Sequence, residues 1–184
     1  MFMRVLLTFL VMAVALGQTR AADKEPVPTL TVCEALANPE KYDGKMVQIR
    51  DRVYGTDEGA SFVGESCPGI FVTEGKTWPS GIAWTMPTDA QFILHPVNFS
   101  FDWASGKRLH KKWGKLRQRF AARCIAVTYT GMFESWSKEK ARETDPEGHV
   151  WRFDGFGHLN AAPAQLVLKS ADDVDPIPNC KAKD

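Results

Sequence analysis

The chain has 184 residues, a hydrophobic fraction of 44% and a formal net charge of +1. That even balance excludes a global electrostatic pull toward nucleic acid or a membrane surface. The apolar content, with six tryptophans, says that the chain packs a real core.

Arg4 precedes an apolar run from Val5 to Leu16, which has the length of a signal-peptide core and is too short to span a bilayer. Small residues allow cleavage after Gly17 or after Ala21, the second being favoured. Residues 1–21 are therefore read as a signal peptide, 22–30 as a loose leader and 31–180 as a single domain. About 160 residues remain after the leader, enough for one core. An uncleaved amino-terminal anchor is the alternative, and in both cases the domain faces an oxidising periplasmic or extracellular space. No second run of membrane-spanning length follows.

Four cysteines, Cys33, Cys67, Cys124 and Cys180, lie beyond the leader. In an exported chain an even number reads as two disulfides, with three pairings possible. The favoured one brings Cys33, before the first strand, to Cys67, after the second, and leaves Cys124 with Cys180; the other two pairings stay open. There is no Cys-x-x-Cys pair, and His95, His110, His149 and His158 are scattered. No metal site and no cofactor is expected.

Thr31 and Glu34 have capping-box spacing and open a short helix, which Asn38-Pro39 should end because proline disfavours helix at the residue before it. Asp43-Gly44 then turns the chain into a first strand, 45–54, in which Val47 and Ile49 alternate with Gln48, Arg50 and Arg52, with Val53 past a charged interruption. A second strand follows over 60–65. Ile70-Phe71-Val72 reads as a short buried strand that 81–85 extends after the Trp78-Pro79 turn. From Trp103 to Arg123 there is no acidic residue, and Leu109, Trp113, Leu116 and Phe120 recur at offsets of four, three and four. That spacing predicts an amphipathic helix over 105–119 whose apolar stripe docks on the strands. The strongest strand pattern runs from Ala121 to Phe133, with Gly131 marking a bulge or bend. Residues 135–149 read as a long exposed connection, partly helical over 138–143, and 165–170 as a last strand.

The order of elements, with Asn38-Pro39, Tyr42 and Gly44-Lys45-Met46-Val47 before the first strand, resembles the OB-fold-like domains of exported bacterial proteins and is similar to tRNA-anticodon-binding-like OB domains. The resemblance covers Thr31 to about Val174, and Gly155-Phe156-Gly157-His158-Leu159-Asn160 also looks like a segment of such proteins. It implies a mainly β protein with minor α content: an OB-like five-stranded barrel with an amino-terminal helix and an inserted amphipathic helix. OB folds bind oligonucleotides, oligosaccharides or proteins on one barrel face, and fold alone does not choose among them.

The leading expectation is a non-enzymatic binding or interaction module of the cell envelope, its partner an envelope protein or a glycan. Trp136, Trp151, Phe156 and His158 are the candidate ligand-binding residues, because loops on a rigid scaffold carry function. A polyanion-binding alternative uses Arg50, Arg52, Lys107, Arg108, Lys111, Lys112 and Lys115. Against it stands a solvated helix face balanced by acids such as Glu134, Glu139, Glu143, Asp145 and Glu147. Nucleic acid is disfavoured, since exposed aromatics interleaved with the cations are scarce. A hydrolase centred on His158 and Asp154 lacks a recognisable nucleophile, so no catalytic residue is assigned.

Overall fold

The computed structural model describes residues 26–56, 59–64, 67, 72–73, 76–89, 93–136, 142–144, 150–152, 155–157 and 161–180, with the side chains of 54–56, 59–61, 63, 73, 76, 142–144 and 150–152 excepted. The protein is mainly β. Strand β1 (Thr29–Leu30) leads into helix α1 (Val32–Ala37) and a single helical turn, α2 (Pro39–Tyr42). Strands β2 (Met46–Thr56), β3 (Gly59–Val63), β4 (Val72–Thr73), β5 (Lys76–Thr77) and β6 (Gly81–Thr85) follow. Helix α3 (Trp103–Arg117) and a 3-10 turn (Ala122–Cys124) separate these from β7 (Ile125–Ser135), β8 (Arg142–Thr144), β9 (Val150–Arg152) and β10 (Ala164–Pro176).

The main sheet is mixed. β2 pairs antiparallel with β3, β3 with β6, β7 with β10, and β7 also with β2; β6 and β10 run parallel, as do β1 and β2. On β2, Val47 and Ile49 are fully buried while Gln48 and Arg50 lie on the other side. The inner face collects Phe62, Ile82, Ile125, Val127, Phe133, Leu166 and Leu168 into one core. The apolar stripe of α3 packs against that core through Leu109, Trp113 and Leu116, joined by Phe120.

The charged interruption on β2 is Asp51, which keeps the inward parity of Val47 and Ile49. Its Oδ2 accepts from the Val32 amide (3.1 Å) and its Oδ1 from the Arg52 amide (2.9 Å), so it satisfies a donor at the α1 amino terminus. Burial holds its carboxyl above the ordinary range, against those two hydrogen bonds. At the same helix end the capping box forms as expected: Thr31 Oγ1 accepts from the Glu34 amide, and the Glu34 carboxylate accepts from the Thr31 amide. Val32, Ala35 and Leu36 make the buried side.

Several elements differ from expectation for identifiable reasons. α1 ends at Ala37, but Pro39 opens the further turn α2, because the first helical position needs no N–H. Strand 81–85 belongs to the main sheet, whereas Val72 sits in the two-residue pair β4–β5 and is 56% exposed. Arg142–Thr144 is a strand paired with β9, not helix. The long strand pattern begins at Ile125, after the 3-10 turn, and continues to Ser135.

The largest difference is β10, which runs on to Pro176. Register shifts fall between Leu168 and Ser170 and between Ala171 and Asp173. Each extra residue breaks the period of two, so the buried positions Leu166, Leu168, Ala171 and Val174 are spaced two, three and three. The bulge expected at Gly131 thus lies on its partner strand. Gly131 itself permits close approach: a Cβ there would stand 2.4 Å from the Val167 carbonyl oxygen. The bulged edge receives α3, since the Asp102 amide donates to the Lys169 carbonyl (2.8 Å) and buried Ser105 Oγ accepts from the Ala171 amide (2.9 Å).

Two disulfides are present, Cys33–Cys67 and Cys124–Cys180, with Cα separations of 5.5 and 5.4 Å. This is the favoured pairing, and it fits an oxidising, extracytoplasmic environment. No helix among the described residues is long and apolar enough to cross a membrane.

Candidate functional site

Two groups of polar side chains stand out, one buried and one exposed. The buried group gathers where β7 ends. Glu134 has no accessible surface. Its Oε1 accepts from the amides of Leu94 (2.9 Å) and His95 (2.7 Å), and its Oε2 accepts from Gln165 Nε2 (2.6 Å). The segment 93–95 has no ladder partner, so a carboxylate from β7 satisfies its amides.

Next door, Asp43 lies in the turn before β2. Its Oδ1 accepts from the Ser135 amide (2.8 Å) and hydroxyl (3.1 Å), while its Oδ2 meets His95 Nε2 at 3.1 Å. A carboxylate only accepts, so His95 carries its proton on Nε2. Gly44, at φ +69°, brings bare backbone to the face of the His95 ring, which a Cβ would touch at 3.5 Å. The Gly44 amide and the Phe133 carbonyl (2.8 Å) continue the β2–β7 ladder into this turn.

The group holds serine, histidine and aspartate, but in the wrong order for nucleophilic catalysis. A triad needs imidazole between hydroxyl and carboxylate, so that the imidazole takes the hydroxyl proton. Here the carboxylate stands in the middle. Ser135, itself buried, donates to Asp43, and among the described residues no hydrogen bond joins it to His95. The arrangement clamps the 93–95 segment and the Asp43-Gly44 turn to the end of β7. None of these residues was singled out from the sequence as a site. Asp43 reads there as a turn residue and Glu134 as a surface acid, because what buries Glu134 arrives from a segment 40 positions away.

The exposed group lies between α3 and β10. Lys112 Nζ is 2.5 Å from Asp173 Oδ1 and 3.0 Å from Asp175 Oδ1; Arg50 Nη1 reaches Asp175 Oδ2 at 3.3 Å and Thr128 Oγ1 at 3.4 Å. Hydrogen bonds from Lys112 hold the Asp173 carboxyl below its ordinary range, and the two aspartates raise the lysine. Asp172 takes Thr130 Oγ1 and Ser170 Oγ on the same outer face. Among the described residues the acids that pair with these cations are Asp173 and Asp175, with Asp102 near Arg108 (3.6 Å); Glu139, Asp145, Glu147 and the side chain of Glu143 lie outside the described residues. Glu134, named with them above, is buried elsewhere.

Of the expected ligand-binding residues, the structure brings Phe156 and Trp136 to one small core. Phe156 has no accessible surface and packs with Ala83 and Ala162 in a small second core, against which Trp136 and Leu94 rest. Its ring thus packs inside the protein rather than on the described surface. Trp136 is half-buried, its ring centroid 5.5 Å from that of buried Trp78. Trp151 belongs to β9, and its side chain lies outside the described residues, as do His158 and Asp154. Among the polyanion candidates, Lys107, Arg108, Lys111, Lys112 and Lys115 share α3, whereas Arg50 and Arg52 belong to β2.

A groove of about 390 Å³ opens beside β1, lined by Pro26, Val27, Pro28, Lys41, Tyr42, Lys45, Met46 and Val47. Among the described residues no group of three or more histidines, cysteines or acids is placed to hold a metal ion. No protein-family model, curated protein or solved structure matches this chain.

Proposed function

We propose that this chain is an exported, non-enzymatic binding module of the cell envelope, built on an OB-like five-stranded barrel. The observation that carries the reading is the strand order. β2, β3, β6, β10 and β7 each have a hydrogen-bonded neighbour on both sides, since β7 returns to β2, and the inserted helix α3 lies between β6 and β7 in the chain. A five-strand order in which the third and fifth strands run parallel supports the OB-like reading. In that arrangement the face of the second and third strands, flanked by the first and last connections, takes the ligand. Here these are β3 and β6, with Trp136, Phe156 and Ala162 packed against Ala83 of β6.

Export is supported by the two disulfides and by the apolar leader. A binding role, not a hydrolytic one, is favoured by the order of Ser135, Asp43 and His95, which serves as a clamp. The test presents the immobilised mature protein with fractionated envelope protein and envelope glycan, and then incubates the free protein with whatever is retained. Retention of a component that mass spectrometry finds chemically unchanged is expected. No retained component, or cleavage of the retained one, overturns the proposal.

A further inference from the structure

One row of α3 is left over when the ion pairs with β10 are accounted for. Trp103, Lys107, Lys111 and Lys115 follow one another at intervals of four and lie in one row along the helix, and Arg119 comes four residues further on, just past the helix end. All five are exposed, Trp103 by 65%. Lys112, which looks like part of the same basic run in the sequence, is engaged by Asp173 and Asp175. Among the described residues no carboxylate lies within 4 Å of Lys107, Lys111, Lys115 or Arg119. Along the helix the row thus carries a positive charge about every 6 Å, the rise of four residues, unpaired among the described residues, with an indole at one end. Phe101 meets that indole edge to face at 5.1 Å and 88°, which braces the ring on the surface.

We propose that this row binds a linear acidic glycan, the indole stacking on a sugar ring and the cations pairing with its carboxylate or sulfate groups. The inference goes beyond the β3–β6 binding face proposed above and holds whether or not that face takes a ligand. The choice of a sugar chain rests on what the row lacks. Helices that bind membrane surfaces do so by burying their apolar face in lipid, and the apolar stripe of α3 is already packed on the core. Single-stranded nucleic acids are held by several aromatics on which successive bases stack, and this row offers one aromatic to four cations. An indole suits a sugar, since it presents a flat apolar face with a polar edge.

The test is calorimetric titration of the full mature protein with a heparin-derived oligosaccharide at rising salt. Saturable binding that weakens as salt rises is expected, with no heat from a neutral dextran oligosaccharide. The triple variant K107Q/K111Q/K115Q should lose at least tenfold in affinity, and Trp103→Ser several-fold, each melting as the wild type does. Lys112→Gln should bind within about twofold of wild type, because that cation is engaged on β10. Unchanged affinity in the triple variant overturns the proposal. So does unchanged affinity in Trp103→Ser, which would remove the sugar contact, and so does tighter binding to phosphatidylglycerol vesicles or to single-stranded DNA at the same salt.

Discussion

The end of β7 and the edge between α3 and β10 handle charge in opposite ways. At the first, Glu134 is out of reach of water and is matched donor by donor to Leu94, His95 and Gln165. At the second, Lys112, Asp173 and Asp175 meet in solvent, each side chain about a third to a half exposed. A buried carboxylate without its donors is costly, and so are buried donors without their acceptor. An exposed pair costs little to make or lose. The difference separates polar residues that hold this molecule together from surface pairs that contribute little to its stability.

The largest loss is expected at Glu134. Replacement by Ala removes the acceptor of two part-buried amides and one hydrogen bond of the buried Gln165 carboxamide, and urea unfolding should show a loss of about 3 kcal/mol. Glu134→Gln keeps an oxygen for the Leu94 and His95 amides but turns a donor toward Gln165, so it should recover part of that loss. Gly131→Ala acts on the β7–β10 contact, where a Cβ would meet the Val167 carbonyl and Leu166. Backbone must move, and a loss of about 1–3 kcal/mol is expected in the same measurement.

Smaller effects sharpen the contrast. Asp51 has its carboxyl raised by burial, so the folded protein keeps this proton to higher pH than the unfolded chain. Its contribution therefore favours folding in acid and declines as pH rises from about 4 through the raised value. Thermal melts of Asp51→Asn and wild type across that window should show the decline in wild type alone. The Lys112–Asp173 pair has the opposite acid dependence. Its stabilisation is present near neutrality, is lost as pH falls through the lowered aspartate value, and is lost in alkali as pH rises through the raised lysine value. Because the pair is exposed, Lys112→Gln should cost less than about 1 kcal/mol.

Local patterns in the sequence carry much of this fold. The Thr31–Glu34 capping box, the alternation of Val47 and Ile49 and the stripe Leu109, Trp113, Leu116 and Phe120 all depend on neighbours within a turn or two, and all three form. What is lost is non-local. β10 escapes a period-two reading after Ser170 because its two bulges shift parity, and the aspartates that follow look like a loop. Glu134 sits at a polar position of its strand and is buried by a crossing segment. Phe156, in a glycine-rich run, is buried by packing with Ala83, which is distant in the chain, and with Ala162. In the basic run, helical spacing groups the cations, but only the position of β10 separates engaged Lys112 from Lys107, Lys111 and Lys115.

One titration tests this division between a structural end and an available one. Backbone amide resonances of the protein would be followed by two-dimensional NMR while a heparin-derived oligosaccharide is added at moderate salt. Saturable shifts confined to residues 101–119 are expected, with Asp43, His95, Glu134 and Ser135 unmoved. Shifts centred on those four residues, with α3 silent, would contradict this division.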